Sequence, residues 1–155
     1  MKKKIITTAL LTIFLLGGCA KKEAITTQVF VDKAKEAGMT TEEVTSEYNL
    51  DNLEAVYAAD SEEGTAYRFY DFADANAAAD YYRSCETDIE AIIEDAPAKS
   101  STSTRLGDNK TKTASADGMY YIAEQVGDTV LTVIASTEGN SEKANVDKFV
   151  KSIGY

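Results

Sequence analysis

Two β-rich runs held apart by a single pair of turn residues place the tightest constraint on this chain. Residues 119–126 (MYYIAEQV) and 129–135 (TVLTVIA) flank Gly127-Asp128. Two such residues between strands specify a tight hairpin. Pairing Val126 with Thr129 places Tyr120, Ile122, Leu131 and Val133 on one face. Met119, Tyr121, Gln125, Val130, Thr132 and Ile134 share the other.

The remaining periodicities extend this hairpin into a sheet with helices. Residues 54–60 (EAVYAAD) and 65–72 (TAYRFYDF) flank the polar loop Ser61-Glu62-Glu63-Gly64, a second hairpin signal. If Asp60 opposes Thr65, Val56 faces Phe69 and Ala58 faces Tyr67 on the expected core side. Tyr57 then meets Arg68, and Ala55 meets Tyr70, on the other side. Residues 26–38 read as a helix: Phe30, Ala34 and Ala37 recur at helical spacing, and Gly38 is a natural stop. Residues 42–48 (EEVTSEY) fit either a capping box from Thr40 to Glu43 or a strand through Val44, Thr45 and Tyr48, and a strand is the expectation.

Residues 72–95 form the longest helical segment. Asp71 is its expected cap, Asp74 lies in its first turn, and Ala78, Tyr81, Tyr82, Cys85, Ile89, Ile92 and Ile93 form its apolar stripe. Pro97 and the run Lys99–Thr104 (KSSTST) end it in a polar, mobile loop. Residues 109–116 read as a polar edge-like strand. Val146, Phe149, Val150 and Ile153 mark a final helix over about 140–153. The expected fold is α+β: a two-layer sandwich with an antiparallel sheet of about six strands and helices on one face. Two βββα units, at about 42–95 and 109–153, follow an opening helix.

Composition excludes several kinds of chemistry. The chain has no His, which removes His-based triads, imidazole general bases and His-ligated metals. It carries 16 basic and 26 acidic residues, a net charge of −10. Three of the basic residues, Lys2, Lys3 and Lys4, lie in an amino-terminal segment whose removal is expected from the pattern described below, and without them the excess would deepen to −13. A surface so negative repels nucleic acid and anionic headgroups. There is no GxGxxG, no GxxxxGK[ST] and no Ser-x-x-Lys, so neither a phosphate cradle nor the commonest His-free serine nucleophile is present, and no cofactor is implied.

The amino terminus reads as an address. Lys2-Lys3-Lys4 precede an apolar run of twelve, residues 5–16, too short to span ~30 Å of hydrocarbon at ~1.5 Å per residue. It has the form of a secretory h-region. Leu16-Gly17-Gly18-Cys19 resembles a bacterial lipobox. That resemblance implies cleavage before Cys19, a thioether lipid and further acyl chains on that residue, and an anchor on the extracytoplasmic face of the cell membrane. The domain plan is then signal peptide over 1–18, lipidated Cys and tether over 19–25, and one α+β domain over 26–155. With Cys19 acylated, Cys85 is alone and an intrachain disulfide is excluded.

The mature part also resembles a group of small uncharacterised lipoproteins from Firmicutes. The likeness rests on Gly17-Gly18-Cys19, the Phe30…Ala37-Gly38 helix end, the Ser/Thr linker, the Asp117-Gly118 turn and the Ile153-Gly154-Tyr155 end. It implies a Gram-positive host and no particular chemistry.

The candidate site is a constellation of Tyr57, Arg68, Tyr70, Met119 and Tyr121, all expected on the sheet face turned away from the helices. An antiparallel sheet can leave one face wet. Aromatics, Met and Arg there belong to the residue types enriched at interfaces. The expected function is a non-enzymatic, lipid-anchored binding module whose partner is an envelope protein, a second copy or a glycan. The alternative is a small cell-wall hydrolase using paired carboxylates. Asp71, Asp74 and Asp80, or Asp60, Glu62 and Glu63, could gather a cation, but lack Ca²⁺-loop spacing. Cys85, on the apolar stripe and without a base, reads as a buried structural thiol.

Overall fold

The computed structural model describes residues 22–137 and 141–155. Cys19 and the signal segment lie outside the described residues. Helix α1 spans Thr27–Glu36 and is capped by the Thr26 side chain. Strand β1 (Thr40–Glu43) and a 3-10 turn (Thr45–Glu47) follow, then β2 (Leu53–Asp60) and β3 (Ala66–Phe72). Helix α2 (Ala75–Ile93) leads to β4 (Lys99–Leu106), β5 (Asn109–Ala116), β6 (Met119–Val126), β7 (Thr129–Ser136) and α3 (Ser141–Ser152).

The seven strands make one antiparallel sheet in the order β1-β2-β3-β7-β6-β5-β4. The fold is therefore α+β as expected, with seven strands rather than about six. The added strand is β4, which occupies the stretch expected to be a mobile loop. Three strands precede α2 and four lie between α2 and α3, so the two blocks are not matched βββα units.

Strands β4 to β7 form a regular meander. Each has eight residues, and two-residue turns join them at Gly107-Asp108, Asp117-Gly118 and Gly127-Asp128. The Asp117-Gly118 turn needs left-handed backbone at both residues, with φ of 49° and 77°. Asp tolerates that region better than most residues. The β6–β7 pairing matches expectation: Val126 opposes Thr129 and Ile122 opposes Val133.

Both faces of the sheet are covered, which corrects the two-layer expectation. On one face, Phe30, Val31 and Ala34 of α1 and Val146, Phe149 and Val150 of α3 pack with Tyr67, Phe69, Ile122, Leu131 and Val133. On the other, Ala78, Tyr82, Ile89 and Ile93 of α2 pack with Val56, Ala58, Tyr70, Phe72, Ala123 and Val130. The result is a helix–sheet–helix sandwich. Its physical cause is legible in β3, where Tyr67, Phe69, Tyr70 and Phe72 are all buried. Apolar residues on both sides of one strand require cover on both sides.

The β2–β3 register differs by one residue from expectation. Asp60 opposes Ala66, so Tyr57 faces Phe69 and Ala58 faces Arg68. Thr65 belongs to the turn: its N–H donates to Ser61 Oγ at 3.1 Å, and Ser61 N–H donates to the Thr65 carbonyl at 3.0 Å. Because side chains alternate along a strand, a one-residue shift changes which partners share a face.

In α2 the cap is Asp74, whose carboxylate accepts from the N–H groups of Asn76 (2.8 Å) and Ala77 (3.0 Å). Asp71 lies within β3. Glu86 is buried on this helix, whereas Ile92 is 54% exposed.

Candidate functional site

Helix α2 leaves one corner of its sheet face open. It covers the end of the sheet near the Gly127-Asp128 turn, where Tyr70, Ala123, Gln125 and Val130 are buried. Toward the opposite end, Ile134 on the central strand β7 is 48% exposed. It stands between Ala66 of β3 and Tyr121 of β6. Arg68 and Thr132 oppose each other one pair further along the strands, and Met119 opposes Ser136 at the rim. Arg68, Thr132, Tyr121 and Met119 are all half-buried.

Arg68, Tyr70, Met119 and Tyr121 thus share a face, as expected, but it is the face that carries α2 and not one turned away from the helices. Tyr57 does not: it lies on the opposite face and packs against the core beneath α1 and α3. The one-residue register difference between β2 and β3 accounts for its displacement. Tyr70 shares the face but not its exposure. Its ring is buried, edge-on to Tyr48 at 5.4 Å and against Tyr81 at 4.5 Å, and burial pushes its hydroxyl well above the usual range. The exposed group is therefore Arg68, Met119 and Tyr121 with the addition of Ile134. Strand alternation had already placed Ile134 beside Tyr121. What sequence could not show is that α2 stops short of it.

Arg68 is held in place. Its Nη1 donates to Asp60 Oδ1 and to the Tyr67 carbonyl, both at 2.8 Å. Burial alone disfavours its charge, but Asp60 and the nearby Tyr48 hydroxyl outweigh that and fix the guanidinium as a cation. The corner thus presents the Arg68–Asp60 ion pair beside an aliphatic side chain, an aromatic ring and a thioether.

A second concavity of about 470 Å³ lies on the other face, between α1, α3 and the Ser61–Thr65 turn. Lys33, Glu36, Glu63, Glu142 and Lys148 line it together with Tyr67. The buried Thr65 hydroxyl donates to Glu142 Oε2 at 3.2 Å. Burial, with Glu142 and Glu63 nearby, pushes the Tyr67 hydroxyl up to about 12.

A further hollow near the α2 start is lined by Asp51, Asp74 and Asp80. Among the described residues no group of three or more Cys, Asp or Glu is placed to hold a metal ion. Asp60, Glu62 and Glu63 sit at or beside the β2–β3 turn, where Asp60 is occupied by Arg68. Cys85 is half-buried against the α2 core, and burial pushes its thiol up to about 11.

Two features escaped the sequence reading. Ser100, Thr102 and Thr104 of β4 stand opposite Ser115, Thr113 and Thr111 of β5, an open grid of hydroxyls on the side that carries α1 and α3. The signal was the alternation of Ser and Thr at every second residue in both runs. The other is the segment before α1. Glu124 of β6 is only 4% exposed and its carboxylate is paired with Lys22. The Asn109 amide donates to the Lys22 carbonyl at 3.1 Å.

No protein-family model and no curated protein matches the chain. Among solved structures, it is similar to a GTP-binding regulator from Thermotoga maritima, at 12% identity, over 84% of this chain and 85% of that one, with a TM-score of 0.45. A likeness at that level carries no argument about fold or function.

Proposed function

We propose that this protein is a lipid-anchored, extracytoplasmic binding module of the bacterial envelope. It acts by contact and not by catalysis, through the open corner formed by Arg68, Met119, Tyr121 and Ile134. The observation that carries the reading is Ile134: a large aliphatic side chain, half exposed on the central strand, where the same face nearer the Gly127-Asp128 turn is buried. Contiguous apolar patches rimmed by polar groups mark contact surfaces, and Ile134 stands beside Tyr121 with Met119 one pair along. An arginine held in an ion pair, with an aromatic ring and an aliphatic side chain next to it, suits a protein partner with an apolar epitope and polar rim. The anchor rests on the lipobox resemblance of Leu16-Gly17-Gly18-Cys19, and the Firmicute likeness favours the outer face of a Gram-positive cell membrane.

The hydrolase reading draws support from Glu36, Glu63 and Glu142 in the groove between α1 and α3. It is the weaker one. Burial raises the Asp71 carboxyl, but it lies beside Thr129 at the opposite end of the sheet from that groove. A general acid needs both properties at one place.

The test is site-specific photo-crosslinking from position 134 in native membranes. A discrete adduct is expected, lost in the Arg68→Glu/Tyr121→Ala double variant while circular dichroism stays unchanged. An adduct that persists in the folded double variant places the contact elsewhere and refutes the site.

A further inference from the structure

Two residues, Ala20 and Lys21, separate Cys19 from Lys22, and Lys22 is not free to wander. Its ammonium pairs with the buried Glu124 carboxylate, and its carbonyl accepts from Asn109. Ala24 follows over the β6–β7 turn: a Cβ added at Gly127 would meet the Ala24 Cβ at 3.4 Å. Ile25 packs against the core of the α1 and α3 face. The segment is fastened to the domain at three successive points, all at the end of the sheet that carries the Gly107-Asp108 and Gly127-Asp128 turns. A chain advances at most ~3.6 Å per residue, so Cys19 stays within about 11 Å of Lys22.

From this placement we infer that the β4–β5 turn is the bilayer-contacting corner of the protein, with Leu106 entering the interfacial layer. This rests on the proposal that Cys19 carries the lipid. Leu106 is 54% exposed at the tip of that hairpin and lies beside Lys22, Asn109 and Arg105 around a shared hollow. An exposed aliphatic tip among polar and ion-paired side chains suits the boundary between headgroups and acyl chains.

Strand order fixes the tilt. At the β5–β4 edge Lys22 is paired with Glu124 and Arg105 with Glu86, and Lys110 lies over the Tyr82 ring. Asp51, Asp74 and Asp80 lie at the start of α2, beside β2 and β3. From β5 to β2 the sheet order counts four strand spacings, about 19 Å. The acidic corner is therefore raised while the β4–β5 corner is lowered. The same geometry turns Arg68, Met119, Tyr121 and Ile134 away from the bilayer, since they sit toward the opposite strand ends.

The chain has no Trp, so Leu106→Trp gives a sole indole reporter. The full chain, made with its signal segment in a lipoprotein-processing host, is reconstituted into vesicles of zwitterionic phosphatidylcholine with brominated acyl chains. Mass spectrometry of the amino-terminal peptide reads acylation of Cys19 separately. With Cys19 acylated, the Leu106→Trp protein is expected to shift its emission to the blue and lose most of it to bromine. A Glu62→Trp control at the distal turn should keep its emission. Adding Lys22→Ala to Leu106→Trp should restore most of the lost emission in a protein that remains folded. Equal quenching at both positions, or none at either, overturns the orientation while the anchor stands. An unmodified Cys19 overturns the anchor and the orientation with it.

Discussion

The open corner makes a quantitative demand on stability. Fully burying an Ile side chain stabilises a fold by roughly 1.5–3 kcal/mol. Ile134 is 48% exposed, so about half of that, ~1 kcal/mol, is at stake. Ile134→Thr keeps the β-branch that suits a strand, and its expected cost is about 1 kcal/mol or less. Leu131, three residues earlier on the same strand, is fully buried on the α1 and α3 face. Leu131→Ala should cost ~2–5 kcal/mol from lost transfer energy and the cavity left behind. Urea unfolding followed by circular dichroism, with a shared slope for the three proteins, measures both. If Ile134→Thr costs about 3 kcal/mol or more, comparable with Leu131→Ala, then Ile134 is core and the reasoning behind the contact surface fails.

Three further outcomes are expected. Phe30 and Phe69 stack with centroids 5.0 Å apart and join α1 to the sheet; a double-mutant cycle with Ala at each should give a coupling of roughly 0.5–1.5 kcal/mol, and a coupling near zero would refute that junction. Burial lifts the Cys85 thiol to about 11, so a thiol reagent at pH 8 should label the folded protein far more slowly than the urea-unfolded chain; equal rates would contradict the packing around Tyr81. Asp71 has its carboxyl raised by burial, then by Asp128 and Glu54. Such a group stabilises the fold when protonated, and that contribution is lost as pH rises above the ordinary carboxyl value of 3.8. Asp71→Asn should therefore unfold at higher urea than the parent at pH 7, with the gap closing below about pH 3.8; a gap that is the same at both pH values would refute the assignment.

How far the sequence could be read depended on the turns. The Gly127-Asp128 pair set the β6–β7 register correctly because a two-residue loop leaves one solution. The β2–β3 loop was less decisive, since nothing in SEEG reveals that Thr65 closes the turn through Ser61. That single residue displaced Tyr57 from the site. β4 was missed because Ser and Thr resemble linker composition, although Gly107-Asp108 repeats the spacing of the two following turns at intervals of ten. Covering of the second face was foreshadowed by Tyr67, Phe69, Tyr70 and Phe72 in one strand. The edge of that covering, which makes Ile134 accessible, depends on where a helix crosses a sheet. No local pattern encodes that.

Tyr155 is buried, with its hydroxyl against Thr129. It therefore lies at the same end of the sheet as Lys22 and the Gly127-Asp128 turn. A substitution that removes the Tyr155 ring would disturb the very side from which the amino-terminal segment departs. At the far end of the sheet Glu62, Glu63 and Gly64 are exposed, so an epitope inserted there stays clear of that side.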